Sequence, residues 1–262
     1  MSEKVSIITI SFNSEQVIEK TIRSVLFQLY RPLEYVFVDG ASKDNTVDQI
    51  KKYIPILEKK GIEVKFISEP DEGISDAFNK GIQLATGSII GIINSDDQLA
   101  DDAVEKIAKI FDSETDVVCG DCLWIDAQHG LQYIRKSKLE LNKLKYEMVL
   151  MHPTCFVRKR AYCEYGAFRK EYRYVMDKEL MARFYRKGAH FKYLPEVLAI
   201  MSAGGVSDAN AEQVFQEGIE VAVENGVSRF VMNIRSKYKL IRLKLISFMK
   251  KNRFTRKRWG ND

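Results

Sequence analysis

The chain has 262 residues, 45% of them hydrophobic, with a formal net charge of +5. That length suits one large α/β body with a short appendage. No apolar run approaches the roughly 20 residues that cross a bilayer, and Met1 to Lys4 run straight into a short apolar stretch, so neither a spanning helix nor a secretory signal is expected.

Val5 to Phe12 is short and β-branched, and reads as a buried strand. Asn13 and Ser14 offer a cap for a helix that carries Val17, Ile18, Ile22, Val25, Leu26 and Leu29 at helical spacing. Tyr35 to Val38 is a second strand, closed by Asp39-Gly40, and a helix follows from about Thr46. Val64 to Ile67 is a third strand, Ile74 to Ala85 a third helix with Gly87 placed to end it, and Ile89 to Ile93 a fourth strand. That strand ends in Asn94-Ser95-Asp96-Asp97, and Asp101 is placed to cap the helix after it. Four strand–helix alternations with short links predict a mostly parallel, Rossmann-like sheet with helices on both faces, and ligands bind such sheets at the carboxyl ends of the strands. Polar and acidic residues gather at those ends here: Phe12-Asn13, Asp39-Gly40, Ser68 to Gly73 and Asn94 to Asp97.

After about residue 115 the alternation fades. Val117 to Ile125 reads as a strand, Leu139 to Val149 as a loose helix, and Asp177 to Lys187 as a helix with Leu180, Met181 and Phe184 inward. The four cysteines, Cys119, Cys122, Cys155 and Cys163, read as free thiols, because Cys119-Gly-Asp-Cys122 has no second pair of matching spacing to complete a zinc site.

No G-x-G-x-x-G follows the first strand and no G-x-x-x-x-G-K-[ST] occurs, which argues against dinucleotide and P-loop sites. A nucleotide's phosphate charge then has to be met another way, and a divalent cation held by a carboxylate is the obvious candidate. In extended chain Asn94 and Asp96 share a face and Asp97 takes the other. The same tetrapeptide also reads as an ordinary surface turn. Asp39-Gly40 is likewise common turn chemistry, and Phe12 reads as a buried aromatic unless it stacks on a base.

Taken together and in order, Ser11-Phe12-Asn13, Val38-Asp39-Gly40-Ala41-Ser42-Lys43-Asp44, Asp71 to Gly81 and Asn94-Ser95-Asp96-Asp97 resemble the motifs of the family 2 glycosyltransferases, which have the GT-A fold. The resemblance covers roughly Val5 to Met201. It implies nucleotide contacts at Ser11, Phe12, Asn13, Asp39, Asp76, Asn94 and Asp97, with Asp39 reading a base, usually uracil. It implies Mn²⁺ or Mg²⁺ at Asp96. The family's D-x-D has Asn94 in its first place here, so metal binding without the donor is expected to be weak. His152-Pro153-Thr154 through Leu180 resembles the family's acceptor half, with Asp177 at the catalytic-base position and Met176 where a Glu is common. Asp177 also reads as a helix cap. His152 is a candidate contact to metal or acceptor, or a structural residue. Lys80 and Arg158 read as surface cations. The implied reaction is inverting transfer from a nucleotide-diphosphate sugar, of the UDP type, to a hydroxyl of a glycan or lipid-linked glycan, in bacterial cell-surface polysaccharide or glycolipid synthesis. A degenerate sugar-nucleotide binder that recruits partners is the alternative, and the missing glycine- and lysine-bearing loop argues against a nucleotidyltransferase.

Residues 1–205 are expected to form the catalytic domain (1–112 for the nucleotide sugar, 113–205 for the acceptor) and 206–262 a helical basic extension. From Arg229 to Asp262 there are twelve Lys or Arg and one acid. Val231, Ile234, Tyr238, Ile241, Leu245 and Phe248 share one helical face, the pattern of a helix lying on an anionic membrane. A helix packed on the body is the other reading. Nucleic acid is not expected as a partner, since no recognition module accompanies the charge. The expected location is cytoplasmic, with peripheral attachment to the inner face of the cell membrane.

Overall fold

The computed structural model describes residues 2–203 and 210–238. Nine strands form one sheet: β1 (Val5–Ser11), β2 (Leu33–Asp39), β3 (Ile62–Ser68), β4 (Ile89–Ile92), β5 (Gln98–Leu99), β6 (Val117–Asp126), β7 (Leu131–Arg135), β8 (Phe156–Arg158) and β9 (Phe191–Ser202). Their order is β3-β2-β1-β4-β8-β6-β9-β5, with β7 on β6. The helices are α1 (Ile18–Leu26), α2 (Thr46–Lys59), α3 (Ile74–Leu84), α4 (Ala103–Ile110), α5 (Lys159–Tyr165), α6 (Met176–Arg186) and α7 (Ala211–Glu224), and residues 229–238 are helical too.

Strands β1 to β4 are parallel, as the alternation predicts. β1, β2 and β4 are buried on both faces. Ile7, Tyr35 and Phe37 pack with α1 and α2 residues such as Ile22 and Ile50, while Ile8, Val36 and Val38 pack with Ala77 and Phe78 of α3. This is the period-2 division of a sheet covered on both sides. Gly81 lets α3 sit close, because a Cβ there would lie 2.4 Å from Ile8 Cγ2.

Beyond β4 the sheet becomes mixed. β8 runs antiparallel to β4 and β6, and β9 runs parallel to β6 and antiparallel to β5. Several local expectations change. Leu139–Val149 is not a helix beyond one 3₁₀ turn, Leu141–Lys143. Ser14 does not cap α1 through its side chain; its carbonyl accepts from the Val17 and Ile18 N–H groups instead. Asp102, with φ of 57°, precedes α4 in place of Asp101. The first part of the extension, 210–238, packs on the body. Val221 of α7 belongs to the main core, and Ile219, Ala222, Val227 and Met232 form a small cluster beside it. The rest of the expected basic helix, 239–262, lies outside the described residues.

Candidate functional site

The parallel register sets the first part of the site. Ser11, Asp39 and Ser68 are partners across β1, β2 and β3, so their side chains emerge on one face at the carboxyl edge. Asp39 is fully buried and accepts from Ser11 Oγ at 2.9 Å, Ser68 Oγ at 2.7 Å, Ser42 N at 2.9 Å and Ser42 Oγ at 2.5 Å. These four donors match the acceptor capacity of a carboxylate. Asp39 thus anchors the edge through Ser11, Ser42 and Ser68. Phe12, 63% exposed, stands beside it, close to Gly40. Asn13 takes φ of 47°, a conformation asparagine tolerates, and its Oδ1 accepts from Lys43 N at 2.8 Å.

The Asn94–Asp97 segment follows β4 as a turn closed by Asp97 N–H to the Asn94 carbonyl, 3.1 Å. Strand alternation no longer applies within it, which corrects the expected facing. Asn94 Nδ2 donates to Asp97 Oδ2 at 3.2 Å, and Asp97 is 3% exposed. Burial, together with the charge of Asp96, pushes the Asp97 carboxyl up to about 8, against the Asn94 hydrogen bond. Asp97 supports the turn from within. Asp96 is half-buried and accepts no hydrogen bond among the described residues, so its carboxylate is open. The turn is held by α1: the Thr21 hydroxyl lies 2.7 Å from the Ser95 carbonyl and 2.6 Å from that of Asp97. Ser14 and Ser95 hydroxyls, 2.9 Å apart, tie it to the first strand-end loop.

Because β8 runs antiparallel to β4, the turn before it, His152–Thr154, arrives at the edge that carries Asn94–Asp97. His152 is set beside Phe78 and Phe168, each with ring centroid 6.0 Å away. Burial lowers its pKa below the usual histidine range, and the nearby Asp177 carboxylate opposes that shift. His152 and Asp177 thus lie within electrostatic range of each other. Asp177 sits in the first turn of α6, where Val175 occupies the cap position, and its Oδ1 accepts from Lys178 N at 2.7 Å. It faces a pocket of about 280 Å³ whose walls include Tyr146, Tyr174, Phe215, Met232 and Arg235. That is near the lower end of ligand pockets, which run from roughly 300 to 1,000 Å³, so a ring-sized group fits better than a whole nucleotide sugar.

Asp76 is engaged by ion pairs with Lys170 at 2.6 Å and Lys80 at 3.5 Å, and Lys170 foremost holds its carboxyl below the usual range. It ties α3 to the loop before α6. Arg158 is buried and bonded to Glu3 and the Asp112 carbonyl, away from the surface role expected for it. Two residues were missed from sequence. Asp71 lies against Gly40, where a Cβ would meet its Oδ2 at 2.5 Å; its place within the Asp71–Gly81 motif was a signal. Glu217 of α7 accepts from three backbone N–H groups before α6, and nothing in its spacing announces that.

Among the described residues no group of three or more His, Cys, Asp or Glu side chains could enclose a metal. In the Asn94–Asp97 turn, Asp96 offers an open carboxylate. That suits Mg²⁺ or Mn²⁺ whose remaining ligands are phosphate oxygens and water, the usual way these ions sit on nucleotide substrates.

The sequence profile of Glycosyl transferase family 2 matches residues 6–166. A "PGL/p-HBAD biosynthesis glycosyltransferase" of Mycobacterium bovis is 26% identical over 241 residues, spanning 90% of this chain and 91% of that one. Among solved structures, S. aureus TarS 1-349 in complex with UDP-GlcNAc superposes with a TM-score of 0.67 at 20% identity, over 84% of this chain and 66% of that one. The mannosyltransferase PcManGT from Pyrobaculum calidifontis, in complex with GDP-Man and Mn²⁺, gives 0.65 at 16% identity, over 90% and 70%. The chain thus spans just under two thirds of the TarS chain.

Proposed function

We propose, on the premise that this chain belongs to Glycosyl transferase family 2, that it moves a hexosyl or N-acetylhexosaminyl group from a nucleotide-diphosphate sugar to an acceptor hydroxyl with inversion. The support for this reading is topological. The Asp96 turn ends β4, and the antiparallel β4–β8 pair brings in the His152 turn that neighbours Asp177. UDP-GlcNAc in TarS, and GDP-Man with Mn²⁺ in PcManGT, support a nucleotide-sugar donor with a divalent cation. A UDP-sugar is the donor favoured here.

The roles follow from chemistry. An acceptor hydroxyl must lose its proton as it attacks the anomeric carbon, and Asp177 takes that proton as general base. Asp96 would hold Mn²⁺ or Mg²⁺, which when bound supplies positive charge beside the departing diphosphate. Phe12 offers a face for the base. Asp39 holds Ser11, Ser42 and Ser68 in place around it. His152, kept neutral, borders the acceptor side. Its T-shaped contact with Phe168 gives it a packing role besides.

The acceptor is a glycan or lipid-linked glycan of a bacterial cell surface, in keeping with the biosynthetic role in the mycobacterial relatives' name. Attachment to the inner face of the cell membrane belongs to the same reading. Phe230, Val231, Ile234 and Tyr238 are exposed on helix 229–238, at the start of the strongly basic end of the chain. Flotation with anionic liposomes checks this: binding that survives removal of residues 229–262 would refute it. The activity itself is tested by screening UDP- and GDP-sugars with Mn²⁺ for thermal stabilisation and turnover, since a ligand specific to the folded state raises its stability. A chain that no nucleotide sugar stabilises does not do this chemistry.

A further inference from the structure

The segment that carries Asp177 has no cap of its own. Helix α6 begins at Met176, and no side chain at its cap position bonds to its first turn. Unpaired N–H groups at a helix start need partners, and the positive end of the helix dipole favours a negative one. Here a carboxylate arrives from 42 to 44 residues further along the chain and takes the N–H groups of the three residues that lead into the helix. Glu217 of α7 accepts from Arg173 N at 2.9 Å through Oε1, and from Tyr174 N at 2.8 Å and Val175 N at 3.1 Å through Oε2. One residue on, Gly218 accepts from Lys178 Nζ at 3.1 Å, on the far side of Asp177. The residues before and after Asp177 are therefore both fastened to the same turn of α7.

We infer that Glu217 is a positioning residue for the transfer reaction: its carboxylate clamps the 173–175 backbone and so fixes where the Asp177 carboxylate points. The inference rests on the proposed role of Asp177 as base. It gives residues 211–224 a part in the chemistry that a mere extension would not have. Phe12 and Asp96, the donor-side groups of the proposed reaction, follow β1 and β4, outside the clamp, so the effect falls on turnover and not on donor binding. A displacement of about 1 Å in a catalytic group can cost on the order of 100-fold in rate.

The control is Glu224, at the end of the same helix. It docks α7 through Arg169 at 2.7 Å and Tyr172 OH at 2.9 Å, and it makes no bond to 173–175. Glu217→Gln keeps one oxygen for Tyr174 and Val175 but turns an NH₂ toward Arg173 N–H. Glu217→Ala keeps none. The full-length protein and the Glu217→Ala, Glu217→Gln and Glu224→Gln variants are compared by hydrogen exchange and by steady-state kinetics with a turned-over nucleotide sugar. Expected are faster amide exchange at 173–178 in both Glu217 variants but not in Glu224→Gln, and a kcat lowered about 10- to 100-fold in Glu217→Ala. Glu217→Gln should fall between, with the donor KM within about twofold throughout. Unchanged exchange at 173–178 overturns the clamp whatever the turnover. An equal loss of kcat in Glu224→Gln overturns it as well, by reducing it to general docking. A wild-type chain that turns over no nucleotide sugar, while exchange reports the clamp intact, removes the proposed function and the catalytic part of this inference with it.

Discussion

The two halves of the molecule hold their functional side chains in different ways. Up to residue 112, each strand-end group is fixed by neighbours in the adjacent parallel strands: Ser11, Asp39 and Ser68 stand in one register row, and Thr21 of the intervening helix holds the Asn94–Asp97 turn. After residue 113 the fixing is done by single charged residues reaching to distant backbone. Arg183 donates to the carbonyls of Tyr165, Gly166 and Ala167 while pairing with Glu179 at 2.7 Å, and Glu217 holds 173–175. A repeated βα unit places its ligand edge through topology. An irregular half needs clamps, and each clamp concentrates the stability of a whole segment in one side chain.

The contrast can be broken or sharpened by substitution. A large effect is expected where the halves meet. Asp96→Ala should lower transfer about 100- to 1,000-fold, the cost typical of losing one electrostatic stabiliser of a developing charge, and should abolish Mn²⁺-dependent thermal stabilisation by UDP. Wild-type values for both would take Asp96 out of the site. Next comes the acceptor-half clamp. Arg183→Met takes the donor from three carbonyls and leaves the buried Glu179 only its longer, 3.5 Å pair with Arg169, and should cost roughly 3–5 kcal/mol in urea unfolding, the usual penalty for breaking a buried pair. A loss below about 1 kcal/mol, the scale of a surface pair, would mean that this half is not held by single side chains.

The donor half has its own buried carboxylate, Glu34, on β2. Burial alone would raise its pKa, but hydrogen bonds from Ser6 at 2.5 Å, from Thr86 and from Lys65 outweigh that and hold it down at about 2. A folded pKa below the unfolded one adds stability at higher pH, here roughly 3 kcal/mol. That contribution is complete above about pH 4.5 and fades as the pH falls toward 2. Glu34→Gln should remove most of it near neutrality and flatten the acid limb of the stability curve between those limits. An unchanged acid limb would show that the bonds around Glu34 carry no linked proton.

Legibility in the sequence follows the same division. The β-branched strands and the helices between them announce β1 to β4, because regular alternation is a local signal. In the second half the pattern fails where structure depends on remote partners. β8 has three residues, too few for a period, and Leu139–Val149 has helical spacing but is drawn into turns. Within the site, residue types were readable and facing was not. Strand alternation put Asp97 opposite Asn94, yet the chain turns after Ile92 and lets Asn94 bond to a buried Asp97. Asp39 stood out as a carboxylate at a strand end; its saturation by three serines needed the register of two neighbouring strands.

The central claim is that Asp177 acts on the acceptor across a cleft from a donor held near Asp96. The most direct test is Asp177→Asn, with nucleotide-sugar affinity in Mn²⁺ and single-turnover transfer measured on the same preparation. The account predicts affinity within about twofold of wild type and transfer lowered on the order of 100- to 10,000-fold, the range typical of a lost general base. Transfer at the wild-type rate, with the donor bound as before, would contradict it.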